Sequence, residues 1–205
     1  MTRQSAPGQL ATYDSSNLQK HTNPNPLQKI LISRFHRSAQ ALLGATGART
    51  ILDAGSGEGF AMREVTAQLR AMVVGLDASI GALQVARSLN PGREFASGDL
   101  LALPFADRQF DAVICLEELE HLPDPAKGLA ELERVSREWL VLSVPHEPFF
   151  RGANFARGKN TQAWGNDPGH VNHWSAQGFE RFVGQQCQVV KRQQRFPWTI
   201  LLARV

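Results

Sequence analysis

Thr50-Ile51-Leu52-Asp53-Ala54-Gly55-Ser56-Gly57-Glu58-Gly59 is the stretch that decides the fold of this chain. Thr50–Ala54 reads as a buried strand, which breaks into glycines before a helix starts around Glu58. Gly55, Gly57 and Gly59 carry no Cβ, so the backbone there turns tightly and lies against a ligand. Asp53 falls at the strand's carboxyl end, where open α/β sheets bind their ligands. A carboxylate there suits a cationic or hydroxyl-bearing ligand better than a pyrophosphate. A dinucleotide loop also requires G-x-G-x-x-G, and Phe60 holds the place of its third glycine.

Strands and helices alternate outward from this loop. The spacing predicts a helix over 58–69, a strand over Met72–Asp77, a helix over 79–88, and strands over Glu94–Gly98 and Phe110–Leu116. A helix over Ala126–Glu138, with Leu129, Leu132 and Val135 inward, leads to a strand over Trp139–Val144. Ser175 caps a helix over 176–184, and strands near 186–194 and 198–204 close the chain around Pro197. The expected fold is α/β: a Rossmann-like, doubly wound, mostly parallel seven-stranded sheet with an antiparallel C-terminal hairpin. Upstream, Asn25 reads as the N-cap and Pro26 as the first residue of a helix that Gly44 ends. Its expected apolar stripe is Leu27, Ile30, Leu31, Phe35, Ala39, Leu42 and Leu43. Residues 1–25 read as a polar, mobile arm that Tyr13 and Leu18 are placed to dock over a site. Residues 26–205 read as one domain, with a substrate-covering insertion at about 146–174.

The bulk composition narrows the class. A chain of 205 residues, 42% hydrophobic and 20% charged, buries a proper core. A net charge of +3 is too mild to indicate nucleic acid by itself. Cys115 and Cys187 make no disulfide framework and suit a reducing compartment, with Cys115 reading as a core residue. The N-terminus lacks the apolar region of a signal peptide, and no run approaches the roughly 20 apolar residues of a membrane span. The expectation is a cytoplasmic chain.

Asp77 ends the second strand, where a carboxylate accepts ribose hydroxyls, and Asp99 follows the third in GDLLALPF. With Asp53, Gly55, Gly57, Gly59 and the DRQFDAV entry at Asp107–Val113, these residues resemble the class I S-adenosylmethionine-dependent methyltransferases of the type 11 kind. The resemblance runs from Pro26 onward. It implies a cofactor site of Asp53, Gly55, Ser56, Gly57, Gly59, Asp77, Asp99, Leu100 and Leu116, with Asp77 on the ribose and Asp99 beside the adenine. A non-catalytic S-adenosylmethionine-binding protein stands as the alternative from another class.

Acceptor chemistry is expected just beyond the fourth strand, in Cys115–Pro125, CLEELEHLPDP. If Glu117–His121 forms a helical turn, Glu117, Glu120 and His121 share one face and Glu118 points away. Two carboxylates and an imidazole suit Mg²⁺ or Mn²⁺, with His170 or His173 of GHVNHWS as a further ligand. Without a metal, His121, His170 or His173 is the expected general base. The E-x-x-E-H arrangement resembles the ubiquinone-biosynthesis O-methyltransferases, which share the Asn25-Pro26-Leu27 helix start, and the small-RNA 3′-terminal 2′-O-methyltransferases. Both groups act on vicinal oxygens.

Phe149, Phe150, Phe155, Trp164 and Trp174 suit an aromatic or lipid-like small-molecule acceptor. The interleaved Arg151, Arg157 and Lys159 also suit phosphate, a membrane surface or single-stranded nucleic acid. With no appended RNA-binding module expected at this length, the expected reaction is O-methylation of a small-molecule hydroxyl, with RNA 2′-O-methylation as the enzymatic alternative.

Overall fold

A computed structural model describes residues 15–147 and 169–205. Within them, β1 (Thr50–Ala54), β2 (Met72–Asp77), β3 (Glu94–Ser97), β4 (Phe110–Leu116), β5 (Ser136–Pro145), β6 (Gln188–Arg195) and β7 (Trp198–Arg204) form one sheet. Its order is β3-β2-β1-β4-β5-β7-β6. β1 pairs in parallel with both β2 and β4, β2 with β3, and β4 with β5. β7 runs antiparallel between β5 and β6. The chain winds outward in both directions from the β1–β4 junction, and that reversal opens a crevice at the strands' carboxyl ends.

Side-chain alternation divides the core into two layers. Leu52, Val113, Leu140 and Leu201 face one layer, with Leu129 and Leu132 of α5 (Pro125–Val135) and Phe179 of α6 (Ala176–Val183). Ile51, Ile114, Val141 and Ile200 face the other, with Phe35, Leu42 and Leu43 of α2 (Pro26–Gly44) and Met62 of α3 (Phe60–Thr66), while α4 (Ile80–Leu89) connects β2 to β3. Each fully buried Leu or Phe contributes roughly 1.5–3 kcal/mol. Strands covered on both faces read as uninterrupted apolar runs, which is why their limits show in the sequence.

Several expectations change in detail. Asn25 caps α2 as anticipated, accepting from the Leu27 N–H at 2.9 Å. The stripe on α2 reaches the core only from Leu31 onward, and Leu27 and Ile30 are exposed. The helix expected to run to Glu138 stops at Val135, because Ser136 already pairs with Phe110 and starts β5. Residues expected to be a mobile arm include a helix, α1 (Ser16–Thr22), whose cap Ser15 accepts from the Leu18 N–H at 2.9 Å. Tyr13 and residues 148–168 of the expected insertion, with Phe149, Phe150, Phe155, Trp164 and their interleaved cations, lie outside the described residues. The flanks of that insertion are anchored: His146 N–H donates to Pro197 O at 2.7 Å and Glu147 N–H to Trp174 O at 2.9 Å. No helix among the described residues is long and apolar enough to cross a membrane.

Candidate functional site

The glycine loop leaves β1 with its backbone held from the neighbouring strand. Gly55 and Ser56 N–H groups donate to Leu76 O at 2.8 and 2.9 Å, and Gly59 N–H donates to Ser56 O at 2.8 Å. Gly55, Gly57 and Gly59 all have positive φ (78°, 50° and 75°), a region that disfavours side chains. Asp77, at the end of β2, accepts from Gly57 N–H through Oδ2 and from Ser79 N–H through Oδ1, both at 2.8 Å. It fixes the loop while its remaining lone pairs stay available to ligand hydroxyls.

Asp53 sits beneath this loop, 1% exposed. Its Oδ2 has no hydrogen-bond partner among the described residues. Burial, and then the charge of Asp77, push its carboxyl up to about 7. Glu118 packs against Gly55, where its Cγ blocks the space a Cβ would need. Burial raises Glu118 well above the usual carboxylate range, with Asp77, Glu120, Asp53 and Glu117 adding to the shift. No described Lys or Arg pairs with Asp53, Asp77 or Glu118. Three carboxylates in a sheltered crevice call for a cation.

Helix α1 closes one side of this crevice. Ser15 and Asn17 hydrogen-bond to the buried Glu58 of the glycine loop. His21 stacks on Phe60, centroids 4.4 Å apart, and on His36 at 5.5 Å. Lys20 forms an ion pair with Glu117. Burial is the leading reason that His21 and His36 drop to about 3 and about 4, so both are neutral at ordinary pH.

Beyond β4 the chain does not form the expected turn. Glu117 N–H still pairs with Ser143 O at 3.0 Å, and Glu117 takes a positive φ of 62°. Helical geometry appears only as a 3₁₀ turn at Leu119–His121. Glu117 therefore leaves the expected ligand face for Lys20, while Glu118 turns inward. Glu120, His121 and His170 do converge, each offering a donor atom, all within 4.8 Å of one another. Glu120 O accepts from Val171 and Asn172 N–H at 2.9 and 3.0 Å, and Asn172 Nδ2 donates to Leu122 O at 2.7 Å. These bonds select His170. His173 lies instead 3.9 Å from Glu147. Trp174, expected at the acceptor, is half-buried and packs on Phe179 and Phe182 at 5.6 and 5.2 Å, against the core.

Residues 52–139 match the family described as "Methyltransferase domain". Over 119 residues the chain is 38% identical to a demethylmenaquinone methyltransferase of Renibacterium salmoninarum, a match covering 57% of this chain and 50% of that protein. Over 115 residues it is 43% identical to a ubiquinone biosynthesis O-methyltransferase of Alkalilimnicola ehrlichii, covering 54% and 46%. The magnesium protoporphyrin IX methyltransferase of Synechocystis, solved with bound SAH, shares the fold with a TM-score of 0.70 at 22% identity, covering 93% of this chain and 94% of that one. Residues 52–139 thus match a methyltransferase domain, set on the class I methyltransferase fold. The chain spans about half the length of the curated relatives it matches.

Within this methyltransferase domain, Asp53, Gly55, Ser56, Gly57, Gly59 and Asp77 gather at one crevice. Ser56 is buried there, and its Oγ lacks a partner among the described residues. Leu100 and Leu116 are both 8% exposed and belong to the core layers. Asp99 is exposed and caps its own turn, accepting from Leu101 N–H at 2.9 Å. Sequence reasoning missed Glu58, Lys20 and Glu118. Glu58 sits inside the quoted glycine motif itself; nothing local marks the other two.

Proposed function

We propose that this methyltransferase domain transfers a methyl group from S-adenosylmethionine to a hydroxyl of a small molecule. The observation that carries this reading is the buried Asp53 Oδ2, unpartnered among the described residues, beneath three left-handed glycines and beside Asp77 and Glu118. A ligand bearing a sulfonium and an ammonium meets that need, and ribose hydroxyls suit the lone pairs left on Asp77. A dinucleotide pyrophosphate would add negative charge to three carboxylates. When bound, S-adenosylmethionine supplies the electrophilic methyl group. The glycine backbone and Asp77 then position it, and helix α1 excludes water from one side. The names of the two quinone-pathway relatives support a small-molecule acceptor.

On the acceptor side, His121 Nδ1 lies 2.7 Å from Gly169 O. With its proton held there, Nε2 is the basic nitrogen that faces an acceptor hydroxyl or a cation. Glu120, His121 and His170 would hold a divalent ion, whose contribution is to lower the pKa of a coordinated hydroxyl. With Glu117 engaged elsewhere, the set is one carboxylate and two imidazoles. That favours Mn²⁺ over Mg²⁺.

The test is methyl transfer from isotope-labelled S-adenosylmethionine to a panel of hydroxylated aromatic and lipid-like compounds, read by mass spectrometry. Labelled methyl ethers are expected. Transfer to carbon or nitrogen alone would reject the hydroxyl acceptor, and bound donor without transfer to any acceptor would favour a binding protein. Undiminished transfer after chelation, and in Glu120→Ala, would reject the cation.

A further inference from the structure

Glu118 enters the crevice because of a single backbone turn. β4 ends at Leu116, the left-handed Glu117 redirects the chain, and Glu118 crosses onto the glycine end of β1. Its Oε2 lies 2.9 Å from the point where a Gly55 Cβ would stand. None of the described residues donates a hydrogen bond to its carboxylate, and Lys20, the cation of helix α1, pairs with Glu117 instead. Asp53, 1% exposed and with Oδ2 unpartnered among the described residues, provides independent evidence of a ligand at the same place.

We infer that Glu118 is the residue by which this site distinguishes the charged methyl donor from its neutral demethylated product. The inference rests on the cofactor reading above. S-adenosylmethionine and S-adenosylhomocysteine share adenine, ribose, ammonium and carboxylate groups. They differ at sulfur, by one methyl group and one positive charge. The glycine N–H groups and Asp77 contact shared parts, so they bind both nucleosides alike and give no preference. A carboxyl laid over Gly55, whose ionised form a neighbouring cation favours, acts on the part that differs. Such a site holds the donor and releases the product, which uniform binding does not achieve.

The test is calorimetric titration of the full chain with each nucleoside separately. Wild-type protein should bind S-adenosylmethionine about tenfold more tightly than S-adenosylhomocysteine, a difference of about 1.4 kcal/mol. Glu118→Gln should bring the two within about twofold, by weakening the donor and sparing the product. Glu118→Asp keeps the charge and should retain most of the preference. Thermal melting confirms that each variant is folded; if Glu118→Gln is not, the wild-type ratio decides. Tighter binding of the product by wild type would overturn the inference, as would equal weakening of both ligands in Glu118→Gln. In those cases binding itself persists and the cofactor reading stands. Binding of neither nucleoside by wild type would instead remove the cofactor reading, and this inference with it.

Discussion

Lys20 of helix α1 forms an ion pair with Glu117 at the end of β4. The Lys20 ammonium also lies 5.2 Å from the centroid of the Trp198 ring. One side chain thus ties the N-terminal helix to the centre of the sheet and to its C-terminal hairpin. The same pair takes Glu117 out of the acceptor-side cluster and leaves Glu120, His121 and His170 there.

Glu117 and Glu120 should therefore behave differently toward metal. Titration with Mn²⁺ should give affinities within about twofold of wild type for Glu117→Ala, and at least about tenfold weaker for Glu120→Ala. An equal loss in both variants would return Glu117 to the ligand set. Losing a partly exposed ion pair costs about 1 kcal/mol, so Glu117→Ala should instead speed proteolysis near residues 15–22.

Gly55 and Gly47 both have positive φ, at 78° and 67°. A Cβ on Gly47 meets nothing within 4 Å, whereas one on Gly55 collides with Glu118. Alanine at either position incurs about 1–2 kcal/mol of backbone strain. Gly55→Ala should cost at least about 1 kcal/mol more than Gly47→Ala in denaturant titration. Equal costs would mean that Glu118 does not pack on the loop.

Asp77 holds Gly57 and Ser79 N–H groups, whereas exposed Asp99 caps a local turn. Asp77→Ala should weaken S-adenosylmethionine binding at least about tenfold, and Asp99→Ala by less than about threefold. A larger effect from Asp99 would restore it to the adenine side.

Asp53 gives the domain a pH signature. Its carboxyl titrates near 7 in the folded protein, against an ordinary value of 3.8. Between those values the folded state holds a proton that the unfolded chain has released, so the contribution of this group to stability falls as pH rises. Melting temperatures between about pH 5 and about pH 8 should reveal a loss that Asp53→Asn removes. A bound cation favours the ionised acid, so the stabilisation by S-adenosylmethionine should grow over the same range. Parallel profiles for wild type and Asp53→Asn would contradict the assignment.

The strands and the acids at their ends were legible in sequence because each is a local signal. β1, β2 and β4 are apolar runs buried on both faces, and Asp53 and Asp77 stand where those runs stop. The turn after β4 was not legible. A helical reading of Glu117–His121 is locally reasonable, but the bond from Glu117 N–H to Ser143 O carries strand pairing one residue further. That delay moves Glu117 and Glu118 to opposite roles from those the periodicity assigns. His170 and His173 look equivalent in GHVNHWS, and the backbone bonds to Glu120 O tell them apart. The docking of α1 depends on partners more than 40 residues away, Glu58 and Glu117, which no local pattern announces.

The methyl donor is assigned to the crevice between Asp53, Asp77 and the three glycines. A crystal structure of the protein grown with S-adenosylhomocysteine tests this assignment most directly. The nucleoside is expected over Gly55 and Gly57, its ribose hydroxyls on Asp77 and its sulfur on the side of Glu118. A crevice that stays empty at saturating nucleoside, or a nucleoside bound elsewhere on the sheet, would contradict it.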